Sequence, residues 1–274
     1  MSSLIPQEVG PFLRWLIAFG LLSFRYILLA GGAYLLFYVY KRQDWFYMKI
    51  QQKFPSKKSI TNEIFHSFLT FAVFGWMVVL INVLRTHNLT QVYGDLNSRS
   101  LWYYAFTSVF VIFFHDAYFY WAHRLMHHPK IYKYVHRVHH LSTDPTPLAA
   151  FSFHPLEAIL EIGFVPLLLI MMPIHYSSFL ILSIWMILFN VVGHLGYEIM
   201  PKNFVRHSIF KFSNTPTHHN MHHRYVRCNY GLYFNFWDRL MGTNHPQYEA
   251  QFDEVVNRRE AHQAAEEQQE LKQA

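Results

Sequence analysis

Three short stretches of this chain hold histidines at spacings that gather them on one helical face: His123-Arg-Leu-Met-His127-His128, His136-Arg-Val-His139-His140 and His218-His219-Asn-Met-His222-His223. Residues three and four apart are neighbours on a helix. His123 therefore faces the same way as His127, His136 as His139 and His140, and His219 as His222 and His223. Neutral imidazole is a metal ligand, and a single ion takes about four to six donors. Three such faces converging would offer eight or more, which suggests a site for two ions. Iron, copper, nickel and zinc all accept imidazole, so donor type alone leaves the metal open.

Of 19 histidines, 15 lie between His115 and His223. A lone HxxxH is more often two exposed side chains than a site; one HxxxH together with two HxxHH groups outweighs that reading. His194 closes the apolar run Ile184–Val192, where an ionisable group needs a reason, and is a candidate ligand. His154, in Phe153-His154-Pro155-Leu156-Glu157, stands just before a hydrophobic segment and is a candidate to support the ligands. Asp116 lies seven residues before His123, two turns away on the same face. It either orients an imidazole through its second N–H or caps the polar end of its helix. His115 and His207 are read either as supports for ligands or as satisfied polar groups. His66, His87 and His262 read as surface or interfacial, His175 as part of a turn, and His245 has no role.

The elements that must position these residues are apolar. The chain has 274 residues, 52% hydrophobic and 19% aromatic, with only 15% charged, against about 25% charged in an average soluble domain. Cys228 is the only cysteine, which excludes a disulfide scaffold, an iron–sulfur cluster and a cysteine zinc finger. A spanning helix needs about 20 mostly apolar residues. Ile64–Leu84 and Leu101–Trp121 each supply 21, the second broken only by His115 and Asp116. Ile162–Tyr197 is 36 residues without Asp, Glu, Lys or Arg, too long to cross once, and Met172–Ser178 should turn it into a hairpin whose first arm the Glu157–Glu161 stretch extends. Phe12–Tyr40 contains Arg14 and Arg25, and reads as a tilted span or as an interfacial piece followed by a span from Tyr26. Its apolar part is too long for a cleavable signal peptide.

The expected fold is an all-α integral membrane helical bundle of about four to five spans, with a cytosolic histidine-rich helical cap. Orientation follows from the loop Lys41–Lys58, which carries six Lys or Arg against one Asp and should face the cytoplasm. Two crossings later the chain returns to that side near His123, so the histidine cluster and the C-terminus are expected there too. A metal transporter would string its histidines along a pore inside the spans; here they gather at or beyond span ends. No basic run is interleaved with exposed aromatics, so nucleic acid is not an expected partner. The chain divides into an N-terminal membrane region with a basic loop (1–99), a catalytic region (100–245) and a polar tail (246–274). Asp253–Ala274 within that tail reads as a solvated helix or a frayed end.

With Asp116 and the three histidine groups stand Pro145-Thr146-Pro147-Leu148-Ala149, Phe153-His154-Pro155-Leu156-Glu157, Asn229-Tyr230-Gly231 and Trp237-Asp238-Arg239-Leu240-Met241-Gly242-Thr243. Together, over roughly residues 100–245, they resemble the fatty acid hydroxylase / sterol desaturase superfamily of membrane di-iron enzymes, and most of all its sterol C-5 desaturase branch. The resemblance implies two non-haem iron ions and O2-dependent attack on an unactivated C–H bond of a membrane lipid; zinc can displace iron during expression and is possible in the protein as purified. It implies His123, His127 or His128, His136, His139, His140, His219, His222 and His223 as ligands. Some hydroxylases carry a further HxxxH before the last box; here the matching place is Asn190-Val-Val-Gly-His194, with one imidazole missing.

The chemistry asks for the same things. No side chain is a strong enough oxidant for a lipid C–H bond, so a metal must carry the reaction, and two electrons must come from outside. The sequence contains no GxGxxG and no CxxCH. The expected donor is a separate ferredoxin or cytochrome b5-like protein, for which Lys41–Lys58, Arg224 and Arg227 offer a basic face; topology signalling and lipid headgroup contact are the plainer reading of those charges. The rival readings are a carotenoid hydroxylase, a zinc-dependent membrane hydrolase that would need no O2, and a non-enzymatic metal transporter.

Overall fold

The computed structural model describes residues 9–273. They are helical, with no β-strand among them beyond isolated bridges. Helix α1 runs unbroken over Pro11–Tyr40 and loosens into π-helical turns at Ile27–Gly31 and Leu35–Tyr40. Helix α2 (Lys57–Thr86) starts where Ser56 accepts a hydrogen bond from the Ser59 N–H, and α3 (Leu101–Met126) where Ser100 does the same for Tyr103. The segment Ile162–Tyr197 is a hairpin as its length required. It breaks at Met172–His175 between α6 (Phe164–Met171) and α7 (Tyr176–Gly193), and α5 (Pro155–Ile162) extends the first arm.

Among the described residues three helices are both long and apolar enough to cross a membrane: α1, α2 and α7. This is fewer than the four to five spans expected. At 26 residues α3 has the length, but its last turns carry His115, Asp116, His123 and Arg124. The first hairpin arm is divided at Gly163 into two eight-residue pieces. The spans turn apolar side chains outward. Phe12, Phe24 and Leu28 of α1, Phe65 and Trp76 of α2 and Leu180 and Ile184 of α7 are all exposed, the reverse of a water-soluble bundle.

The arginines that clouded the first span have partners. Arg14 donates to the Val9 carbonyl at 3.3 Å and Arg25 to Ser183 Oγ of α7 at 2.5 Å, and α1 is one continuous helix long and apolar enough to span. It lies tightly on α2: Trp15 Nε1 donates to the Ala72 carbonyl at 2.8 Å, and a Cβ on Gly75 would stand 2.8 Å from the Trp15 ring. At the other end Tyr26 of α1 and Ser67 of α2 both donate to the Leu148 carbonyl, at 2.9 and 3.0 Å. The turn Pro147–Phe151 is thereby held in a core with Phe71, Phe74 and Ile187.

The cap is built from α4 (Pro129–Val135), the loop after it, α8 (Pro216–Tyr225), α9 (Phe236–Leu240) and α10 (Tyr248–Gln273). The basic loop 41–58 is sewn into it. Lys49 is fully buried, reaches both carboxylate oxygens of Asp144 at 3.0 and 3.1 Å, and lies 5.5 Å from the ring centres of Tyr38 and Tyr197. Gln51 donates to the Thr143 carbonyl and to Asn220 of α8. Gly196, at φ +73°, lets the backbone pass beside Tyr38, Pro145 and Lys49, where a Cβ would collide with the Tyr38 hydroxyl. Of the two readings of the tail the helix holds: α10 is exposed beyond Gln263, while Phe252, Val255 and Val256 nearer its start are buried, Phe252 and Val256 in one cluster with Met221 and Val205.

Candidate metal centre

The three histidine stretches converge and sort into two groups. His123, His127, His136, His140 and His222 form one; His139, His194, His219 and His223 form the other. Within each group, one ring nitrogen from every residue lies within 4.8 Å of the rest, and all nine rings are buried except His127, which is half-buried. His123 and His127 come from the end of α3, His194 caps the end of α7, and the last three lie on α8. Helix α8 is fixed by Pro216 at its first position, by Thr215 accepting from the His218 N–H, and by Glu198 accepting from the Thr217 N–H at 3.0 Å.

The rings are oriented from behind. His123 Nδ1–H donates to the Tyr230 carbonyl at 2.8 Å, His222 to Cys228 at 2.6 Å, His223 to Ser142 at 2.9 Å, His194 to Asn190 at 2.7 Å and His139 to Ser152 at 3.3 Å. His136 donates to the Glu157 carboxylate at 2.7 Å. A backbone carbonyl oxygen can only accept, so the ring proton of the five carbonyl-backed rings sits on Nδ1 and Nε2 keeps its lone pair. Asp238 supports the arrangement indirectly, accepting from the N–H groups of Tyr230 and Gly231 at 2.8 Å each and so holding the Tyr230 carbonyl behind His123.

The bare nitrogens then face one another. His123 Nε2 is 2.9 Å from His136 Nε2, and His194 Nε2 lies 3.4 Å from His139 and 3.2 Å from His223. The Nε2 of His222 is buried with no hydrogen-bond partner among the described residues. Lone pair against lone pair at these distances is repulsive unless a cation lies between them, and so the donor set fits a metal ion in each group. Burial first, and the neighbouring imidazoles second, hold His136, His139, His219, His222 and His223 well below the usual histidine range, and burial pushes His140 down to about 3. The rings are neutral at pH 7, as ligands must be.

Not every candidate joins. His128 is exposed and N-caps α4, its Nδ1 accepting from the Lys130 N–H; between His127 and His128, only His127 reaches a group. His154 N-caps α5 in the same way through the Leu156 N–H. Asp116 accepts from the backbone N–H groups of Tyr233 and Phe234 at 2.9 and 3.2 Å and meets no imidazole. His115 bonds Tyr233 Oη at 2.8 Å, the satisfied polar role. Glu157 was not singled out from the sequence as a histidine partner, although its signal was there: a carboxylate within an apolar helix.

Beside the second group lies an apolar cavity of about 820 Å³, within the range of small-molecule sites. Phe113 of α3, Trp185, Phe189 and Val192 of α7 and Phe234 line it, with Asn214 at the cap end. Val192 is two residues from His194, and Asn214 immediately precedes the cap of α8.

A membrane helical bundle ending in two buried all-histidine groups, each able to hold a metal ion, defines the class. Residues 108–243 match the model described as fatty acid hydroxylase, and the chain belongs to that family. It is 31% identical over 190 residues to the Delta(7)-sterol 5(6)-desaturase ERG3B of Gibberella zeae, covering 69% of this chain and 57% of that one. It is 29% identical over 223 residues to the lathosterol oxidase of Rattus norvegicus, covering 78% and 73%. To the Delta(7)-sterol 5(6)-desaturase ERG3 of Saccharomyces cerevisiae it is 30% identical over 207 residues, covering 76% of this chain and 53% of that one. The chain thus spans little more than half the length of both fungal relatives. No solved structure matches.

Proposed function

We propose that this chain is a membrane oxidoreductase that uses O2 and two iron ions to hydroxylate or desaturate a lipid, with a sterol favoured by the names of its relatives. The observation that carries the reading is the pair of buried imidazole groups whose Nε2 atoms converge while Nδ1 is held from behind. His123, His127, His136, His140 and His222 would hold one ion, and His139, His194, His219 and His223 the other. Bound there, the irons would supply the O2-derived oxidant needed to cleave an unactivated C–H bond.

The chain's own part is binding and exclusion. The aromatic and aliphatic wall of the cavity holds an apolar body and keeps water from the centre. Glu157 and the backbone carbonyls keep each ring in one tautomer and one orientation. Two electrons per turnover come from a separate carrier, ferredoxin or cytochrome b5-like, and the catalytic region lies within residues 100–245. The basic loop 41–58, bonded into the cap through Lys49 and Gln51, supports a cytoplasmic location for the histidine centre.

The test is metal content after purification in mild detergent under low oxygen, followed by turnover of sterol and acyl lipids with a reductant. About two irons per chain, with product formed only in O2, is the expected result for nine ligands in two groups. No metal after iron reconstitution, or lipid turnover without O2, would overturn the reading.

A further inference from the structure

The cavity beside the second histidine group has a rim unlike its interior. Phe113 (49% exposed), Leu188 (46%), Ile209 (70%), Phe210 (53%) and Phe212 (41%) all line it, and all turn large apolar surface outward. Two of them continue exposed apolar helix faces: Ile184 precedes Leu188 on the span α7 and Val109 precedes Phe113 on α3, each by one helical turn and each exposed. The other three belong to the segment 204–213 of the cap. Of its two charged members, Arg206 makes a paired contact with Asp253 of α10 at 2.5 and 2.7 Å, while Lys211 stays at the rim with its ammonium 5.1 Å from the Phe212 ring centre, its long stem able to carry the charge up to the headgroup level; Lys202, just before the segment, reaches Glu260 at 2.6 Å. The segment is pinned from the protein side, where Asn235 donates to the carbonyls of Phe212 and Lys211 at 2.8 and 3.1 Å.

A contiguous apolar rim of this kind is costly in water. It is continuous with the outward apolar face of the span α7 and with the exposed apolar face of α3 beside it. We infer that segment 204–213 is a lip bedded in the bilayer and that the cavity opens sideways into the hydrocarbon, so that its lipid ligand enters from the membrane. This rests on the lipid-oxidising reading for what the cavity holds, but the route has its own evidence in the rim.

The test uses nitroxide labels on single cysteines introduced as Ile209→Cys and Phe210→Cys in the full chain in phospholipid vesicles. Cys228 is buried, and unlabelled wild-type protein controls for it. Phe106→Cys on the outer face of α3 and Gln268→Cys on exposed α10 serve as hydrocarbon and water references. Labels at 209 and 210 should collide with O2 in preference to a water-soluble nickel chelate, as at 106. Nickel collision as at 268 would overturn the lip, and protection from both reagents would show instead that a second copy or another protein covers the rim. In vesicles, Phe210→Asp should raise the KM for a bilayer lipid about tenfold with kcat and metal content kept; an unchanged KM would also overturn it. Labels in hydrocarbon on a chain that oxidises no lipid would reject the function and leave the route standing.

Discussion

His136 and Glu157 stand 21 residues apart in the chain, yet their Nδ1 and Oε1 atoms lie 2.7 Å apart with both side chains buried. Among the described residues this is the one ring of the two groups backed by a carboxylate, whereas His123, His139, His194, His222 and His223 are backed by backbone carbonyls. Glu157→Ala should weaken metal binding about 10–100-fold. Glu157→Gln, which keeps an acceptor oxygen but no charge, should fall between. Competition of the loaded protein against a chelator measures this, and equal affinity in all three proteins would remove Glu157 from the site.

His194 and His128 were both candidate ligands, and the geometry separates them. His194→Ala should strip the metal from the group of His139, His219 and His223, and abolish turnover. His128→Ala and His154→Ala should keep full metal and lose only a helix cap, about 1 kcal/mol of stability each. His262→Ala is the neutral control. Iron per chain in the four variants decides the assignment, and metal loss from His128→Ala with retention in His194→Ala would reverse it.

Six cap histidines (His136, His139, His140, His219, His222 and His223) are held below the ordinary histidine range by burial. Their folded values lie under the unfolded value of about 6.5, so below that pH the unfolded chain binds protons that the folded chain refuses. Stability is therefore complete above pH 6.5 and is lost as pH falls, each ring contributing up to about 1.4 kcal/mol per pH unit. The metal-free protein should show a sharp drop in Tm between pH 7.5 and 5.5. A flat profile would mean the rings are already protonated or solvated at neutral pH.

Lys49 and Asp144 oppose burial together. Desolvation pushes the lysine down and the carboxyl up, and each partner counters it for the other. Removing one leaves the other charge stranded, so Lys49→Met or Asp144→Leu alone should cost about 3–5 kcal/mol. The double variant should regain most of that. Thermal inactivation in detergent reads both, and an additive double variant would show that the pair is not coupled.

Much of this was legible in the residues. The 36-residue apolar run had to fold back, and it does so at Pro173. Helical spacing placed His123 with His127 at the end of α3 and the last stretch on α8, but His136, His139 and His140 lie past the end of α4 in a turn and a 3-10 turn, so the second stretch reaches the site without a helical face. The division into two groups was not legible, because it depends on how α3, α7 and α8 pack. The histidine excess also had a second cause that spacing hides. His128, His154, His175, His207 and His245 each accept from the backbone N–H two residues on. Three of these cap helices, two directly before a proline. His-Pro at a helix start was the available clue that these rings serve the backbone. Lys49 looked like one topology charge among six; its burial against Asp144 depends on a contact 95 residues away.

Two dipeptides, His139-His140 and His222-His223, each send one ring to one group and the next ring to the other. The two groups therefore share backbone and cannot be taken apart as modules. An ion settling among His139 and His223 also fixes the peptide units that aim His140 and His222, so the second ion binds to a framework already set. On the two-ion reading, filling of the pair should be cooperative, with a half-filled chain as its scarcest form.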